Sequence, residues 1–363
     1  METYDKFIEV TVPGTACNFK CDYCFISQLN ETSMKDVAKF TYPPAHIGYA
    51  LRKERIGGTA YINICGSGET LLADEMPDII AEIVKQGHYV NVFTNGTLTK
   101  RFDEILERVP SELLGHMSFT FSLHYLELKR LGLLERYFNN FKKMGEAGCS
   151  TVSIMVLADS YLPHIDEIKA VSLEKLGVLP QVTFPKKGHQ HGNWSSLSTD
   201  DNNTYRVGET FDSGAFRFAA KYYDYHRKGF CYAGKWSFYL NLATGWISKC
   251  YEHYPFQNIY ADVDKPIKST PVGTTCQASC CGGALFLPQG IVPELNCSNY
   301  VTLRDRPEAN WYKEPMKSFV SQQLTGGGMN KVQRVFASAV NPIHERWLGL
   351  RMKLAAYKAR LLH

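Results

Sequence analysis

The first half of the chain alternates short strand-like runs with longer segments of helical pattern, and this order constrains the fold most. The strand-like runs are residues 7–12, 59–65, 89–94, 117–123, 151–157 and 181–184. The helical patterns between them cover about 46–55, 76–86, 101–108, 133–147 and 165–176. Strands that alternate with helices of this length form βαβ units with a parallel sheet. The sequence therefore predicts an α/β fold, in which reactive side chains gather at the carboxyl ends of the strands.

Three cysteines follow the first predicted strand with the spacing C-x3-C-x2-C: Cys17, Cys21 and Cys24, with Tyr23 before the third. A cubane iron–sulfur cluster normally takes four protein ligands, so three thiolates would leave one iron open to a ligand that is not protein. A structural zinc site usually closes with a fourth Cys or His at short spacing. The nearest downstream histidine, His46, lies too far along the chain for a compact zinc knuckle. The motif therefore favours an iron–sulfur cluster.

The run from Ala16 to Phe25 resembles the cluster-binding loop of the radical S-adenosylmethionine (SAM) enzymes, in which the methionine group of SAM occupies the open iron. The resemblance implies an open, partial (β/α)6 TIM-like barrel, and the predicted strands fit that fold. It also implies a [4Fe–4S] cluster on the three cysteines, SAM as cofactor, and a reductant protein such as a flavodoxin or ferredoxin. The implied chemistry is reductive cleavage of SAM to a 5′-deoxyadenosyl radical, which abstracts a substrate hydrogen.

The segment after the second predicted strand reads Cys65-Gly-Ser-Gly-Glu-Thr70. It resembles the glycine–glycine–glutamate segment that holds the SAM amino group in the family, although Ser67 replaces one glycine and Thr70 the usual proline. Glycine in such a loop lets the backbone approach a ligand closely. The resemblance implies that Ser67, Gly68 and Glu69 contact SAM. Cys65 itself is expected to be a buried, small apolar residue.

The ends of the third and fourth predicted strands carry two further segments of this kind. Asn95 lies in a Thr-Asn-Gly run, which is common in the family and helps to shape the SAM pocket. Ser122 begins the run Ser-Leu-His-Tyr, where related enzymes often have Ser-Leu-Asp-Gly with the serine near the SAM ribose or carboxylate. The resemblance thus implies Asn95 and Ser122 as pocket residues. His124 and Tyr125 depart from the pattern, and His124 is either a structural residue or a contact to substrate or cofactor.

Six further cysteines lie beyond the predicted barrel, and two of them belong to a predicted β-hairpin. Residues 236–242 and 246–250 read as its strands around a turn at 243–245. Cys231 precedes the first strand and Cys250 ends the second. Their spacing, C-x13-G-x4-C, resembles the opening of the SPASM and twitch extensions, which carry auxiliary [4Fe–4S] clusters in many radical SAM enzymes.

The later cysteines do not complete the SPASM pattern. At four ligands per cluster, six cysteines cannot fill two closed clusters, so we expect one auxiliary [4Fe–4S] cluster. Its implied ligands are Cys231, Cys250, Cys276 and Cys280. Cys281 is the alternate to Cys280, and Cys297 is expected outside the site. Four cysteines also suit zinc, which stays the rival at this second site.

The C-terminal segment has a helical pattern with an apolar stripe and basic borders. The stripe is Ile343, Trp347, Leu350, Leu354, Tyr357 and Leu361, and the borders are Arg346, Arg351, Lys353, Lys358 and Arg360. This pattern suits a helix on an anionic membrane surface, while a helix docked on its own chain or on a second subunit is the alternative. The segment 343–363 accounts for the whole net charge of +4, so the rest is balanced and we expect no nucleic-acid partner.

The sequence predicts four regions: a barrel core at 1–190, a linker or lid at 191–228, an auxiliary cluster domain at 229–300 and a helical tail at 301–363. We recognise no secretory signal and no run of about 18 apolar residues in the sequence. Eleven cysteines in a chain without such a signal suggest reduced thiols. These features predict a cytoplasmic protein.

The resemblance leaves the substrate open. Extensions of this kind occur in enzymes that modify peptides and in others that oxidise sugar-like alcohols. Only 16 residues precede the first cysteine, so we expect no N-terminal peptide-recognition domain. Peptide or protein modification is the favoured function, and a radical SAM dehydrogenase acting on a carbohydrate or other small molecule is the alternative. A non-enzymatic iron–sulfur or zinc protein is the hypothesis from another class.

Overall fold

The computed structural model describes residues 2–28, 35–187, 195–222, 229–276, 281 and 285–361. Within these ranges, one nine-stranded sheet has the order β6-β5-β4-β3-β2-β1-β7-β8-β9. The strands are β1 Lys6–Val12, β2 Ala60–Gly66, β3 Tyr89–Thr94, β4 Met117–Ser122, β5 Ser150–Val156, β6 Gln181–Thr183, β7 Ser237–Asn241, β8 Trp246–Ser248 and β9 Gln257–Asn258. β1 to β6 all pair parallel with their chain neighbours, so the predicted α/β fold with a parallel sheet is confirmed.

Helices connect the parallel strands and continue after them. They are α1 Phe25–Gln28, α2 Pro44–Ala50, α3 Lys53–Ile56, α4 Met76–Lys85, α5 Thr99–Arg108, α6 Tyr125–Arg130, α7 Leu134–Glu146, α8 Ile165–Leu176, α9 Asp201–Glu209, α10 Gly214–Tyr222, α11 Tyr300–Arg304, α12 Met316–Val320 and α13 Lys331–Leu361. α4 is typical of the crossover helices, because it buries Ile79, Ile80 and Ile83 in the core. Burial of such side chains contributes about 1.5–3 kcal/mol each, which holds the helix on the sheet.

A buried polar ladder crosses four neighbouring strands. Asn63 Nδ2 donates to Glu9 Oε2 over 2.8 Å, and Asn91 Nδ2 donates to Asn63 Oδ1 over 2.6 Å. Ser118 Oγ then donates to Asn91 Oδ1 over 2.9 Å. The parallel pairing sets these four residues opposite one another. Because a one-residue shift would leave buried polar groups without partners, the ladder favours this register.

The predicted hairpin is present and extends the barrel sheet. β7 pairs antiparallel with β8, and its other edge pairs parallel with β1, from Phe7 opposite Ser237 to Thr11 opposite Asn241. The hairpin is therefore joined by backbone hydrogen bonds to the strand that precedes the first cysteine loop. The four predicted regions stay a prediction, and two helices, α9 and α10, lie in the segment expected to be a linker or lid.

One helix prediction was wrong in its extent. The expected single helix at 46–55 is two helices, α2 and α3, separated at Leu51 and Arg52. The backbone of Arg52 is extended, and its guanidinium Nη1 donates to the carbonyls of Tyr49 at 3.0 Å and Val263 at 3.2 Å. Because Val263 is distant in sequence, this contact was invisible to a local pattern.

α13 has one face against the rest of the chain. Ala337, Asn341 and Leu348 are buried there, and the backbone N–H of Thr274 donates to Ser338 Oγ at 3.3 Å. This face of α13 is therefore docked on its own chain, which is one of the two arrangements that the sequence left open. No helix among the described residues combines the length and the apolar character needed to cross a membrane. The cytoplasmic location stays a prediction.

Candidate active site

The carboxyl ends of the six parallel strands surround a cavity of about 300 Å³. Cys17, Cys21 and Cys24 line it. Its other walls come from the ends of the remaining parallel strands and the residues that follow them. These are 65–70 at the end of β2, 93–95 at β3, 122 and 124 at β4, 156 at β5, and 183, 184 and 186 at β6. Every residue predicted to bind the first cluster or SAM is among them. The volume lies at the lower end of the range of about 300–1,000 Å³ that is usual for small-molecule sites.

The loop after β2 packs directly on the first cysteine loop through the backbone. The N–H of Gly68 donates to Gly14 O over 2.8 Å, and that of Glu69 donates to Ala16 O over 2.9 Å. A Cβ atom on Gly68 would overlap the carbonyl oxygen of Ala16. Glycine is therefore required here by the close approach of two backbones, which fixes the position of the cysteine loop relative to Glu69.

The Glu69 carboxylate joins the loops that follow β2 and β3. It accepts hydrogen bonds from Thr94 Oγ1 at 2.7 Å, from the backbone N–H of Asn95 at 2.7 Å and from that of Leu71 at 3.1 Å. Burial raises the pKa of Glu69, and these hydrogen bonds oppose the increase. The SAM contact expected for Glu69 stays a prediction, and the structure shows that Glu69 braces two strand ends.

Asn95 ties the loop after β3 to the cysteine loop. Its Nδ2 donates to Asn18 Oδ1 over 2.6 Å, and Asn18 Nδ2 donates to Thr97 Oγ1 over 3.0 Å. Gly96 follows with a φ of +77°, and a Cβ there would lie 2.6 Å from the Phe121 ring. Asn95 thus lies on the cavity wall and contacts Asn18, which sequence reasoning did not single out. Its role in the SAM pocket stays a prediction.

The three thiols of the first loop fit an iron–sulfur cluster. Burial raises the pKa of Cys17 to about 11 and that of Cys21 to about 12, so these thiols lose their protons at neutral pH only on binding a metal. No three His, Cys, Asp or Glu side chains of the described ranges converge on a single metal ion. A cubane cluster needs no such convergence, because each thiolate binds a different iron.

A chain of hydrogen bonds from Tyr161 leads to His124. Tyr23 Oη lies 2.9 Å from Tyr161 Oη and 2.6 Å from His124 Nδ1. Burial lowers the pKa of His124 to about 4, so the imidazole is neutral at physiological pH. Tyr23 Oη thus joins Tyr161 and the neutral His124 ring in one hydrogen-bonded chain, and either neutral tautomer of His124 fits the distances. Tyr161 was missed by sequence reasoning, although it follows the fifth predicted strand.

Comparison with known families agrees with this geometry. Residues 11–167 match the Radical SAM superfamily. This segment, somewhat less than half of the chain, is therefore similar to the radical SAM domain. The matched range contains β1 to β5, the three cysteines, Glu69 and Asn95. The cofactors of the superfamily are SAM and a [4Fe–4S] cluster. No curated protein matches the chain at the level of sequence.

Several solved structures are similar in outline. SuiB of Streptococcus suis bound to S-adenosylmethionine has 15% sequence identity and a TM-score of 0.48, over 73% of this chain and 67% of SuiB. A histidine-tagged form of anSMEcpe with bound AdoMet has 14% identity and a TM-score of 0.47, over 97% of each chain. BtrN in complex with AdoMet and 2-DOIA has 15% identity and a TM-score of 0.38, over 72% of this chain and 81% of BtrN.

A second, smaller cavity of about 20 Å³ lies outside the matched segment 11–167. Four cysteines line it, namely Cys231, Cys250, Cys276 and Cys281. Cys280, the fourth ligand expected from the sequence, lies outside the described residues, while its alternate Cys281 is on the cavity wall. Cys297 is not among the lining residues, and its Sγ lies 3.6 Å from Tyr222 Oη. His253 also lines the cavity, which the sequence did not indicate.

Two details of the first cavity refine the sequence reading. Cys65, expected to be a buried apolar residue, is partly exposed and lines the cavity, and burial raises the pKa of its thiol to about 12. Thr70, at the position of the usual proline, accepts the backbone N–H of Gly66 on its hydroxyl over 2.8 Å. The hydroxyl of Thr70 thus holds the turn that closes the β2 end.

Proposed function

We propose that the chain is an enzyme that cleaves SAM reductively and removes a hydrogen atom from its substrate. The observation that carries the proposal is that three thiols from one loop share a cavity with both glycine-containing loops and Ser122. In this proposal Cys17, Cys21 and Cys24 bind the [4Fe–4S] cluster. Ser67, Gly68, Glu69, Asn95 and Ser122 form the SAM pocket.

Cys17, Cys21 and Cys24 would hold the cluster, which would supply the electron for reductive cleavage of SAM bound beside Glu69. The chain's own residues hold the reactants in place. Gly68 keeps the β2 loop against the cysteine loop, and Glu69 fixes the β3 loop beside both. Phe19, Phe93 and Phe184 line the cavity, and apolar walls of this kind would limit the side reactions of a radical with water. A flavodoxin or ferredoxin is the proposed reductant.

The second cavity is the proposed site of one auxiliary [4Fe–4S] cluster. Its support is the presence of Cys231, Cys250, Cys276 and Cys281 around a single cavity. Cys281 takes the place that the sequence assigned first to Cys280. Such a cluster would accept the electron that is released when a substrate radical is oxidised, or would position the substrate. Zinc remains the competing metal, and metal analysis separates the two.

A peptide or protein is the proposed substrate class, and oxidation of a carbohydrate or other small molecule is the alternative. Both classes rest on the resemblance of the Cys231–Cys250 hairpin to extensions found in both groups of enzymes. Lys186 at the cavity wall suits either an acidic peptide side chain or a sugar hydroxyl. Deuterium transfer from labelled candidate peptides and sugars into 5′-deoxyadenosine would distinguish the classes.

Metal analysis tests the non-enzymatic hypothesis first. After anaerobic reconstitution, two clusters give about eight iron and eight sulfide per chain, and one cluster gives about four of each. The Cys17→Ala/Cys21→Ala/Cys24→Ala variant should lose about four of each, and a Cys297→Ala control should lose none. Bound zinc in place of iron at the first site would contradict the proposal.

The decisive experiment is incubation of the reconstituted, reduced protein with SAM. We expect 5′-deoxyadenosine and methionine to form in equal amounts, and we expect none from the triple Cys→Ala variant. The Cys297→Ala variant is the matched control for loss of a cysteine away from the site. If the wild type forms no more 5′-deoxyadenosine than the triple variant, with candidate substrates also present, the proposed function is wrong.

A further inference from the structure

α13 presents a long apolar surface to solvent, on the side opposite its docked face. Eight large apolar residues among the described side chains of α13 are between 51 and 78% exposed, and Val335 is one of them. The other seven share one side of the helix: Val332, Phe336, Ile343, Trp347, Leu350, Leu354 and Tyr357. At 100° per residue, all seven lie within about 40° of Ile343 around the helix axis. They form one line of about 38 Å at 1.5 Å per residue. We call this set the α13 stripe.

The docked face of α13 explains why the stripe stays exposed. Asn341 and Leu348 are each 2% exposed and lie roughly opposite Ile343 on the helical wheel. Buried Lys249 pairs with Asn341 and Glu345, so the helix is held by its polar side. An amphipathic helix normally packs its apolar stripe inward. In α13 the apolar stripe instead faces solvent. An exposed apolar patch of this size marks an interaction surface.

The charges beside the stripe are cationic. Arg346 and Lys353 border it on one side and Arg351 borders it on the other, and all three side chains are exposed. Glu345 is the sole acidic residue of the segment 331–363, and it faces His253 and Lys249, away from the stripe. Trp347 and Tyr357 add amphipathic rings of the kind that sit at the boundary between lipid headgroups and acyl chains.

The same charges argue against a second copy as the occupant. Two α13 helices paired along their stripes would set Arg346, Arg351 and Lys353 of both chains beside one seam. Like charges at such flanking positions weaken helix pairing. An anionic lipid surface instead neutralises each cation, at about 1 kcal/mol per Lys or Arg near the membrane.

We propose that α13 lies in the surface of an anionic membrane, with the α13 stripe in the acyl boundary and the flanking cations among the headgroups. The helix does not span the bilayer, and the barrel stays outside it. This proposal is independent of the cofactor chemistry, since the α13 stripe lies on the face of the helix opposite Glu345, which contacts the second cavity, and since it uses no metal. Apolar burial and charge attraction together set the strength of such binding.

Co-sedimentation of the full chain with vesicles tests the proposal. We expect binding to vesicles of phosphatidylcholine with about one-third phosphatidylglycerol, at least tenfold stronger than to phosphatidylcholine alone, and weakened by high salt. The variant Ile343→Ser/Trp347→Gln/Leu350→Ser should reduce binding at least tenfold. The variant Arg346→Glu/Lys353→Glu should remove the preference for anionic lipid. The fluorescence of Trp347, measured against a Trp347→Phe variant, should shift to shorter wavelength on binding.

A matched control replaces exposed apolar residues elsewhere. Leu131→Ser/Leu173→Ser/Tyr205→Ser changes three exposed side chains outside α13 and should bind vesicles as the wild type does. Circular dichroism checks that each variant is folded. Equal vesicle binding by the stripe variant and the wild type would overturn the proposal, as would no binding by the wild type. Light scattering that shows a dimer, converted to a monomer by the stripe variant without vesicle binding, would identify a second copy as the occupant instead.

Discussion

Glu345 Oε2 lies 3.3 Å from His253 Nδ1, and this contact fastens α13 to the wall of the second cysteine cavity. The same carboxylate accepts the backbone N–H of Tyr254 at 3.4 Å and lies 3.7 Å from the buried ammonium of Lys249. Burial alone would raise the pKa of Glu345, but His253 and Lys249 hold it below its usual value. Glu345 is therefore one of the residues that fix the position of the terminal helix, and it is partly buried beside His253 and Lys249.

We predict that Glu345→Ala loosens α13. Removal of one member of a buried charged pair leaves the other without compensation, and about 1–3 kcal/mol of stability should be lost. Hydrogen exchange should accelerate within 331–361 and much less in β1 to β4. Because the folded pKa of Glu345 is depressed, its contribution is complete above the unfolded pKa and falls as the pH drops through the folded value.

Glu308→Ala serves as the control for Glu345→Ala, because Glu308 is exposed and lies outside α13. It should leave both hydrogen exchange and melting temperature unchanged. If exchange in α13 is the same in Glu345→Ala and in the wild type, then the apolar contacts of Leu348 and Ala337 hold the helix by themselves.

A second prediction concerns Glu9, which ends the buried polar ladder. Burial raises its pKa to about 8, against a usual value of 4.5. The folded state therefore binds this proton more tightly than the unfolded state, and stability should fall as the pH rises from about 4.5 to about 8. At about 1.4 kcal/mol per pKa unit, the loss is on the order of a few kcal/mol.

Glu9→Gln should remove most of that pH dependence, since an amide does not titrate and still accepts from Asn63. Urea unfolding of wild type and variant between pH 5 and 9 measures it. If the stability of the wild type does not fall more than that of Glu9→Gln between pH 5 and 9, then Glu9 does not titrate as its burial implies.

Gly68→Ala should disrupt the first cavity, because the new methyl group would overlap Ala16 O and push the β2 loop away from the cysteine loop. We expect weaker SAM binding by at least tenfold and reduced iron retention. Equilibrium dialysis with labelled SAM and iron analysis measure the two effects. Gly326→Ala is the matched control, since a Cβ there meets no atom within 4 Å. Wild-type binding by Gly68→Ala would mean that the two loops are not in close contact.

Tyr23→Phe removes the hydroxyl that hydrogen-bonds both His124 Nδ1 and Tyr161 Oη, and so loosens the position of the imidazole. The loss of one hydrogen bond of about 1 kcal/mol predicts a roughly fivefold slower formation of 5′-deoxyadenosine with unchanged iron content. Tyr161→Phe should have a smaller effect in the same direction, because it acts through Tyr23. Tyr205→Phe, at an exposed site, should match the wild type. A rate unaffected by Tyr23→Phe would restrict His124 to a structural role.

The sequence by itself determined the order of the six parallel strands, the placement of Cys17, Cys21 and Cys24 after β1, and the hairpin of β7 and β8. Each of these depends on a local pattern: the alternation of side chains along a strand, the change to helical period, or a turn between two strands. Such patterns can be recognised in the sequence without information about which distant residues are in contact. For the same reason the residues at the strand ends were predicted to share one cavity.

Only the tertiary structure decided which distant segments meet. It placed Cys281 beside Cys231, set β7 against β1, broke the helix at Arg52 through Val263, and joined Glu345 to His253. It also turned the apolar stripe of α13 outward, although its period alone suited a docked helix equally well. These outcomes depend on burial and hydrogen bonds between residues far apart in the chain, and a local pattern contains no record of them.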